Sequence, residues 1–203
     1  AKGGGELCFD CHDEKRLAMS KAFVHDPVRK GLCTNCHNPH ANSNPSLLAF
    51  SSDKICVTCH ATLIQTRGNR LHSPVASGDC SICHDAHASD RGRMLKDLPG
   101  NLCGTCHAGI AADAAKAKSS HPPVVSGHCE SCHDAHGSAH KAYLIGSQKV
   151  LCLSCHTELE ERVRKAGSVH APVAQGTCSD CHAGHSSSPG TGSTSTTCLI
   201  RAG

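Results

Sequence analysis

The 203-residue chain has 17 cysteines and 18 histidines, but it has no tryptophan, one tyrosine, three phenylalanines and two methionines. These few large apolar side chains cannot form an ordinary hydrophobic core. Something other than side chains must therefore fill the interior. The formal net charge is +3. No stretch of 18 or more apolar residues is present, which excludes a predicted transmembrane helix.

A five-residue pattern, C-x-x-C-H, occurs eight times and uses 16 of the 17 cysteines. Its cysteines are Cys8, Cys11, Cys33, Cys36, Cys56, Cys59, Cys80, Cys83, Cys103, Cys106, Cys129, Cys132, Cys152, Cys155, Cys178 and Cys181. Its histidines are His12, His37, His60, His84, His107, His133, His156 and His182. Two thiols spaced in this way can add to the two vinyl groups of a haem, and the next residue reaches the iron as proximal ligand. The sequence therefore predicts eight haems c.

The pair C-x-x-C alone also occurs in zinc sites, redox pairs and local disulfides. None of these requires a histidine directly after every pair, whereas all eight pairs here have one. We therefore favour haem attachment, with zinc binding as the main alternative.

Every second motif begins at position 8, 56, 103 or 152, which gives a repeat of about 48 residues with two motifs each. The predicted di-haem repeats are 1–44, 45–91, 92–140 and 141–187, followed by a Ser/Thr/Gly-rich tail, 188–203, that we expect to contact another subunit. The interval from an even motif to the following odd motif is always 23 residues. A constant junction predicts a continuous, quasi-linear array of repeats around haems.

Each repeat has the same order of elements. A short helix is predicted after each odd motif, at Asp13–Ala22, Ala61–Arg70, Ala108–Lys118 and Thr157–Ala166. The last has the clearest signals, because Thr157 and Glu160 form a capping-box pattern and Gly167 can end the helix. An H-x-P-V segment then stops the helix. With 19 glycines and 9 prolines, the fold is predicted to be mostly irregular, with a few short α-helices and little or no β-structure.

Ten histidines lie outside the motifs, and eight of them recur at two fixed positions. The H-x-P-V segments supply His25, His72, His121 and His170. The second position, three residues after the proximal histidine of each even motif, supplies His40, His87, His136 and His185. This second histidine is too close along the chain to reach the opposite face of its own haem, so a neighbouring haem is its expected target. His128 and His140 do not recur.

The count of recurring histidines equals the count of haems, which predicts bis-histidine ligation of every iron. Such iron has no open position for a substrate. We therefore expect an electron-transfer protein and not an enzyme, with no catalytic residues.

The doubled unit, H-x-P-V followed by G-x-C-x-x-C-H-x-x-H, a leucine and a further C-x-x-C-H, resembles the doubled-CXXCH cytochromes of anaerobic, metal-respiring and sulfur-cycling microbes. The resemblance extends over residues 8 to 185. It implies proximal ligation by the eight motif histidines and distal ligation by the H-x-P-V and C-H-x-x-H histidines. Families of this kind act as periplasmic electron shuttles, as partners of respiratory complexes, or as extracellular filaments whose haems continue from subunit to subunit.

We favour the filament subunit, a homopolymer that is secreted and exchanges electrons with redox donors and acceptors. The alternatives are a monomeric periplasmic shuttle, an electron-transfer subunit of a respiratory enzyme and, third, a multihaem reductase. A Gly-rich start at Ala1 is typical of a secreted chain after cleavage of a signal peptide. Haem propionates would make the net charge negative, so no nucleic-acid partner is expected. Cys198 is either a free thiol or half of an intermolecular disulfide.

Overall fold

The computed structural model describes residues 4–67 and 70–187. The predicted tail at 188–203, with Cys198, lies outside these residues. The chain divides into two compact units, Ala1–Leu102 and Cys103–Gly203. We call them the N-terminal half and the C-terminal half and describe each by itself.

Short helices and turns make up the regular structure of the described residues. The α-helices, numbered α1 to α12 in chain order, are Gly5–Cys8, Asp13–Ala18, Asp26–Arg29, Ser52–Ile55, Val57–Gln65, Ser73–Ala76, Pro99–Gly104, Ala108–Lys116, Pro122–Val125, Gln148–Leu153, Thr157–Lys165 and Ala171–Gln175. Single 3₁₀ turns cover Cys33–Asn35, Pro45–Leu47, Cys80–Ile82, Gly92–Met94, Cys129–Ser131, Lys141–Tyr143 and Cys178–Asp180. The predicted fold class, mostly irregular with short helices, is confirmed.

The helix predicted after each odd motif is present, although it is shorter than predicted. The proximal histidine forms the N-cap in three cases, since α2, α8 and α11 begin directly after His12, His107 and His156. Helix α5 begins before the histidine but has a non-helical break at His60 (φ −104°, ψ 28°). The helix therefore starts afresh at the same position in every repeat.

The capping box predicted at Thr157 and Glu160 is wrong. Thr157 is the first residue inside α11, the N-cap is His156, and no side chain accepts a capping hydrogen bond there. An ion pair stabilises this helix instead, because Lys165 Nζ lies 2.5 Å from Glu161 Oε1, one turn earlier.

The H-x-P-V segments end one helix and begin another. Each histidine of this segment is the N-cap of a helix with proline in its first turn, as His25 is for α3 and His170 for α12. Proline suits this place because its missing N–H would have no partner in a first helical turn. The segment therefore fixes the backbone on which its histidine is presented.

Each half also contains one small antiparallel ladder. In the N-terminal half β1 (Phe23–Val24) pairs with β2 (Ala88–Ser89), with Val24 opposite Ala88. In the C-terminal half β3 (Ser119–Ser120) pairs with β4 (Ser186–Ser187), with Ser120 opposite Ser186. In both cases the ladder joins the segment before an H-x-P-V histidine to the segment after a C-H-x-x-H histidine of the following repeat.

Side chains provide almost no core in the described part of the chain. The buried hydrophobic residues there are Phe9, Ala88 and Ala114, and no large side chain is fully buried. Large apolar side chains stay exposed instead, such as Leu7 at 63% and Ile82 at 50%. Both lie in or beside a C-x-x-C-H motif. An apolar prosthetic group held by the motifs would cover such surface.

Candidate haem-binding site

All eight C-x-x-C-H motifs fold as one helical turn. In each, the histidine N–H donates to the carbonyl of the first cysteine, at 2.9 Å to 3.1 Å. This i to i+4 bond brings the histidine one turn above the first cysteine, on the same side of the turn. The motif therefore directs two thiols and one imidazole toward a common region, as a covalently attached haem requires.

Four imidazole pairs face each other, and each pair joins two successive repeats. In the N-terminal half the ring centres of His25 and His60 are 6.1 Å apart, and those of His37 and His87 are also 6.1 Å apart. In the C-terminal half the distances are 6.2 Å for His121 and His156 and 5.9 Å for His133 and His185. Each pair combines one motif histidine with one recurring histidine from outside the motifs.

These distances fit an iron between the two rings. A bond from a metal to an imidazole nitrogen is about 2.0 Å long, and the ring centre lies about 1.1 Å beyond that nitrogen, so two axial imidazoles place their centres about 6 Å apart. Directly packed aromatic rings cover a wide range of about 4.5–7 Å between centres, whereas the four pairs here all lie between 5.9 Å and 6.2 Å, as a common iron between the rings would require. Two facing ligands also differ from a structural zinc site, which has four. The residues present therefore fit bis-histidine haem.

Three of the four even-motif histidines are held by a hydrogen bond at the far side of the ring. The Nδ1 atoms of His37, His84 and His133 lie 2.8 Å, 2.9 Å and 2.7 Å from backbone carbonyls. The carbonyl belongs each time to the ninth residue after the histidine, respectively Ser46, Arg93 and Ala142. An N–H at Nδ1 that donates to a carbonyl leaves Nε2 as the atom with a lone pair for iron.

Backbone strain is concentrated at those carbonyls. Three pairs of adjacent non-glycine residues have positive φ, between 54° and 57°. They are Ser46 and Leu47, Arg93 and Met94, and Ala142 and Tyr143. The left-handed conformation is unfavourable for such residues by about 1–2 kcal/mol each. Its recurrence at one place in three repeats indicates that the turn is needed to aim the carbonyl at the imidazole.

The second histidine of each C-H-x-x-H segment is positioned by the residue directly after the proximal histidine. Asp85 Oδ1 accepts hydrogen bonds from the N–H groups of His87 at 2.9 Å and Ala88 at 3.3 Å. In the same way, Asp134 Oδ1 accepts a hydrogen bond from the N–H of His136, and Asn38 Oδ1 accepts one from the N–H of His40 at 3.2 Å. Burial alone would raise the pKa of Asp85, but these two N–H donors, together with the charges of His87 and Lys15, lower it. The carboxylate thus stays ionised as an acceptor.

We call the recurring histidines from outside the motifs the outer histidines. The two kinds, from H-x-P-V and from C-H-x-x-H segments, are joined through their backbones. The N–H of His25 donates to the carbonyl of His87 at 2.9 Å, and the N–H of His121 donates to that of His185 at 2.9 Å. The Nδ1 atom of His25 also lies 3.0 Å from the carbonyl of Ala86. Because β1 and β2 continue this contact, the ladder fixes His25 and His87 relative to each other.

The thiols of neighbouring motifs in one repeat also approach each other. Cys8 contacts Cys33, Cys56 contacts Cys80, and Cys152 contacts Cys178 through side-chain hydrogen bonds. Burial, and then the neighbouring thiols, raise the pKa of Cys56 to about 11. The two attachment sites of a repeat are therefore in contact at their first cysteines.

A glycine permits this approach. Gly78 and Gly176 lie two residues before Cys80 and Cys178 and have φ of +76° and +77°. A Cβ at Gly78 would collide with the backbone of Asp53, and one at Gly176 with the side chain of Lys149. The recurrent glycine of the even motif thus serves close packing against the helix that precedes the odd motif.

Burial lowers the pKa of two outer histidines, His87 and His185, and so favours the neutral form that binds a metal. The pKa of His87 is lowered by burial and then by Lys15. The pKa of His185 is lowered by burial, then by His133 and His121.

The structure does not pair every predicted ligand. Among the described residues of its own half, no ring faces His12, His40, His170 or His182. The roles of His72, His84, His107 and His136 stay predictions. The two histidines that do not recur make local contacts, His128 with Glu130 at 3.7 Å and His140 with Ser138.

Two sets of supporting residues were not predicted from the sequence. The aspartate or asparagine after the even-motif histidine recurs in three repeats and could have been found by aligning the repeats. The residues that supply carbonyls to Nδ1 are serine, arginine and alanine, so no residue type marks them.

The turn geometry, the imidazole pairs and the missing side-chain core together define a multihaem c-type cytochrome. No helix in residues 4–67 or 70–187 is long and apolar enough to cross a membrane. A family of known sequences, described as the doubled CXXCH motif, matches residues 25–65, 72–112, 121–161 and 170–197. These matches cover well over half of the chain, and the chain belongs to that family.

One curated relative is the multiheme cytochrome MtrA of Shewanella baltica (strain OS185), which is 35% identical over 69 residues, or 32% of this chain. The match spans only 20% of the length of MtrA. The eight predicted haems c are confirmed by the four doubled motifs.

Proposed function

We propose that this octahaem cytochrome conducts electrons along bis-histidine haems as the subunit of an extracellular filament. The observation that supports it most is the set of four imidazole pairs at 5.9 Å to 6.2 Å, each formed by two successive repeats. A chain whose irons are held between repeats is built as an array and not as separate cytochrome modules.

The residues would act in three ways. The two cysteines of each motif would attach a haem through thioether bonds, and the motif histidine would bind its iron from one side. A second imidazole would bind from the other side, namely His25 opposite His60, His87 opposite His37, His121 opposite His156 and His185 opposite His133. When bound, such a haem supplies an iron that changes between ferric and ferrous states. With an imidazole bound on each side, the iron would have no open position for a substrate.

Close spacing is favoured by the contacts between attachment sites. The first cysteines of two motifs in one repeat touch, as in Cys56 and Cys80. Cys36, in the preceding repeat, also lies close to Cys56. Burial and Cys80 raise the pKa of the Cys56 thiol most, and Cys36 raises it further. Haems attached at these three sites would lie at short range from each other.

The extracellular filament is favoured over the periplasmic shuttle because the repeats interlock through their ligands. Any repeat therefore offers the contacts that a further repeat needs. Negative-stain electron microscopy of the secreted fraction tests the proposal, and we expect filaments containing this chain. A secreted or periplasmic fraction that holds the haem protein only as monomers would contradict the filament and favour the shuttle.

A further inference from the structure

The four imidazole pairs do not by themselves distinguish the haems that they would hold. All four have ring centres between 5.9 Å and 6.2 Å apart, and each combines a motif histidine with an outer histidine. Haems with the same axial ligands differ in reduction potential through their surroundings, namely hydrogen bonds, burial and nearby charges. A difference in potential along the array must therefore come from the side chains beside the ligands.

One position in the helix after the odd motif lies beside the C-H-x-x-H segment of the following repeat. In the C-terminal half, Ile110 and Asp113 of α8 line a cavity together with His182, Ala183 and His185. Helix α8 also packs against β4, which begins directly after His185. Ile110 is the third residue after the odd-motif histidine. This helix position is therefore adjacent to an outer histidine.

The N-terminal half arranges the same elements in the same way. Helix α2 is followed by Lys21, whose Nζ lies 3.4 Å from Asp90 Oδ2. It is then followed by β1, which pairs with β2 directly after His87. The chain after α2 thus runs along residues 87–90. The third residue after the odd-motif histidine is here Lys15.

Lys15 differs from the residues at the same position in the other repeats. Those residues are all apolar, namely Leu63, Ile110 and Leu159. Lys15 is half-buried, whereas its neighbours Glu14 and Arg16 are exposed. A cation therefore occupies a partly covered position that otherwise carries an apolar side chain.

Two opposite charges lie beside His87. Asp85 Oδ1 is 3.9 Å from Nδ1 of His87. Burial lowers the pKa of His87 most, and the charge of Lys15 lowers it next. The charge of Lys15 also acts on Asp85. The carboxylate and the ammonium group therefore offset each other at this outer histidine.

The charges beside His185 are not balanced in this way. Ala183 stands where the N-terminal half has Asp85. Among the described residues that line the cavity with His185, the charged side chain is that of Asp113. The equivalent of Asp113 in α2 is Ala18. The surroundings of His185 are therefore more negative than those of His87.

We propose that Lys15 raises the reduction potential of the haem held between His37 and His87 above that of the equivalent haem held between His133 and His185. Reduction from ferric to ferrous iron adds one negative charge at the haem, which a nearby cation stabilises and a nearby anion opposes. The inference rests on the proposed bis-histidine pairs and identifies a residue that orders their potentials. Electrons would occupy the first of these two haems before the second.

Spectroelectrochemical titration of the fully haem-loaded chain tests this, with the electrode supplying one electron per haem. His87→Met marks the haem, because methionine stabilises ferrous iron and about one eighth of the absorbance change should move to higher potential. In this background, Lys15→Gln should move the marked wave to lower potential. Lys15→Arg retains the charge and should leave it in place.

The reciprocal exchange is made in the C-terminal half. His185→Met marks the haem attached at Cys129 and Cys132 in the same way. In that background, Ile110→Lys should move the marked wave to higher potential, because it supplies the cation that this half lacks. Ile110→Gln is the matched control, since it adds a polar side chain of similar length without a charge, and it should leave the wave in place.

Each outcome supports or overturns the inference. A marked wave that does not move in Lys15→Gln, or that moves equally in Lys15→Arg, would overturn it and leave the imidazole pairs standing. Lys30→Gln removes a lysine that is 62% exposed and lies 2.7 Å from Asp26. A shift of equal size in this variant would assign the effect to general surface charge and overturn the inference as well.

The marking step tests the proposed ligation separately. If His87→Met moved no part of the absorbance change, His87 would be no ligand, and both the pairing with His37 and the role of Lys15 would be contradicted. The filament is tested by microscopy and does not depend on either result, because the potentials are measured on each chain whether or not it assembles.

Discussion

His37 and His87 face each other with ring centres 6.1 Å apart and ring planes within 8° of parallel, although they belong to successive repeats. Each is held from behind: Nδ1 of His37 by the carbonyl of Ser46, and the backbone N–H of His87 by the carboxylate of Asp85. Both imidazoles are thus oriented by contacts with the chain itself.

Replacing one outer imidazole with a thioether should change one haem among eight. We expect His25→Met to raise the reduction potential of the haem attached at Cys56 and Cys59, because methionine stabilises ferrous iron relative to histidine. In a spectroelectrochemical titration, about one eighth of the haem absorbance change should move to higher potential. His128→Met is the control and should leave the curve unchanged. An unchanged curve for His25→Met would show that this imidazole is no ligand.

The glycine before each even motif should tolerate no side chain. Gly78→Ala places a Cβ against the backbone of Asp53 at a φ of +76°, and we expect a cost of about 1–3 kcal/mol in the free energy of unfolding. Gly109→Ala is the matched control, since nothing lies within 4 Å of its Cβ position and it lies inside α8. It should stabilise the protein by up to about 1 kcal/mol. Thermal unfolding measures both, and equal midpoints would contradict the packing argument.

The sequence predicted the attachment sites because the order Cys, Cys, His carries its own chemistry and folds as one local turn in every repeat. It also predicted the outer histidines by their recurrence. It could not predict that His25 faces His60, because this pairing depends on a two-residue ladder between Val24 and Ala88. Nor could it predict the carbonyl behind His133, since the backbone of Ala142 performs this role and the side chain does not.

Replacing Ala142 in the strained turn with glycine should raise the free energy of unfolding, whereas glycine usually lowers it. Ala142 has φ of 55°, and its carbonyl lies 2.7 Å from Nδ1 of His133. Since glycine adopts this conformation without steric cost, Ala142→Gly should stabilise the fold by about 0.5–1 kcal/mol. Ala112→Gly, at an exposed position inside α8, should destabilise it by about 1 kcal/mol. Shifts of the same sign in thermal unfolding would show that the turn at Ala142 is not strained.

Removing the hydrogen-bond acceptor beside a C-H-x-x-H histidine should lower the stability of the protein, and adding one where it is missing should raise it. Asp85→Ala removes the acceptor of the His87 and Ala88 N–H groups, and we expect a loss of about 1–2 kcal/mol with a weaker low-spin signal from the haem at His37. Asp85→Asn should retain most of the stability, because Asn38 makes the same bond to His40. Repeat 4 has Ala183 at this position, so Ala183→Asp should stabilise the segment that holds His185 by up to about 1 kcal/mol. Thermal unfolding and the electron paramagnetic resonance of the ferric haems measure these effects. If Asp85→Ala and Asp85→Asn behaved alike, the hydrogen bonds would not be the cause.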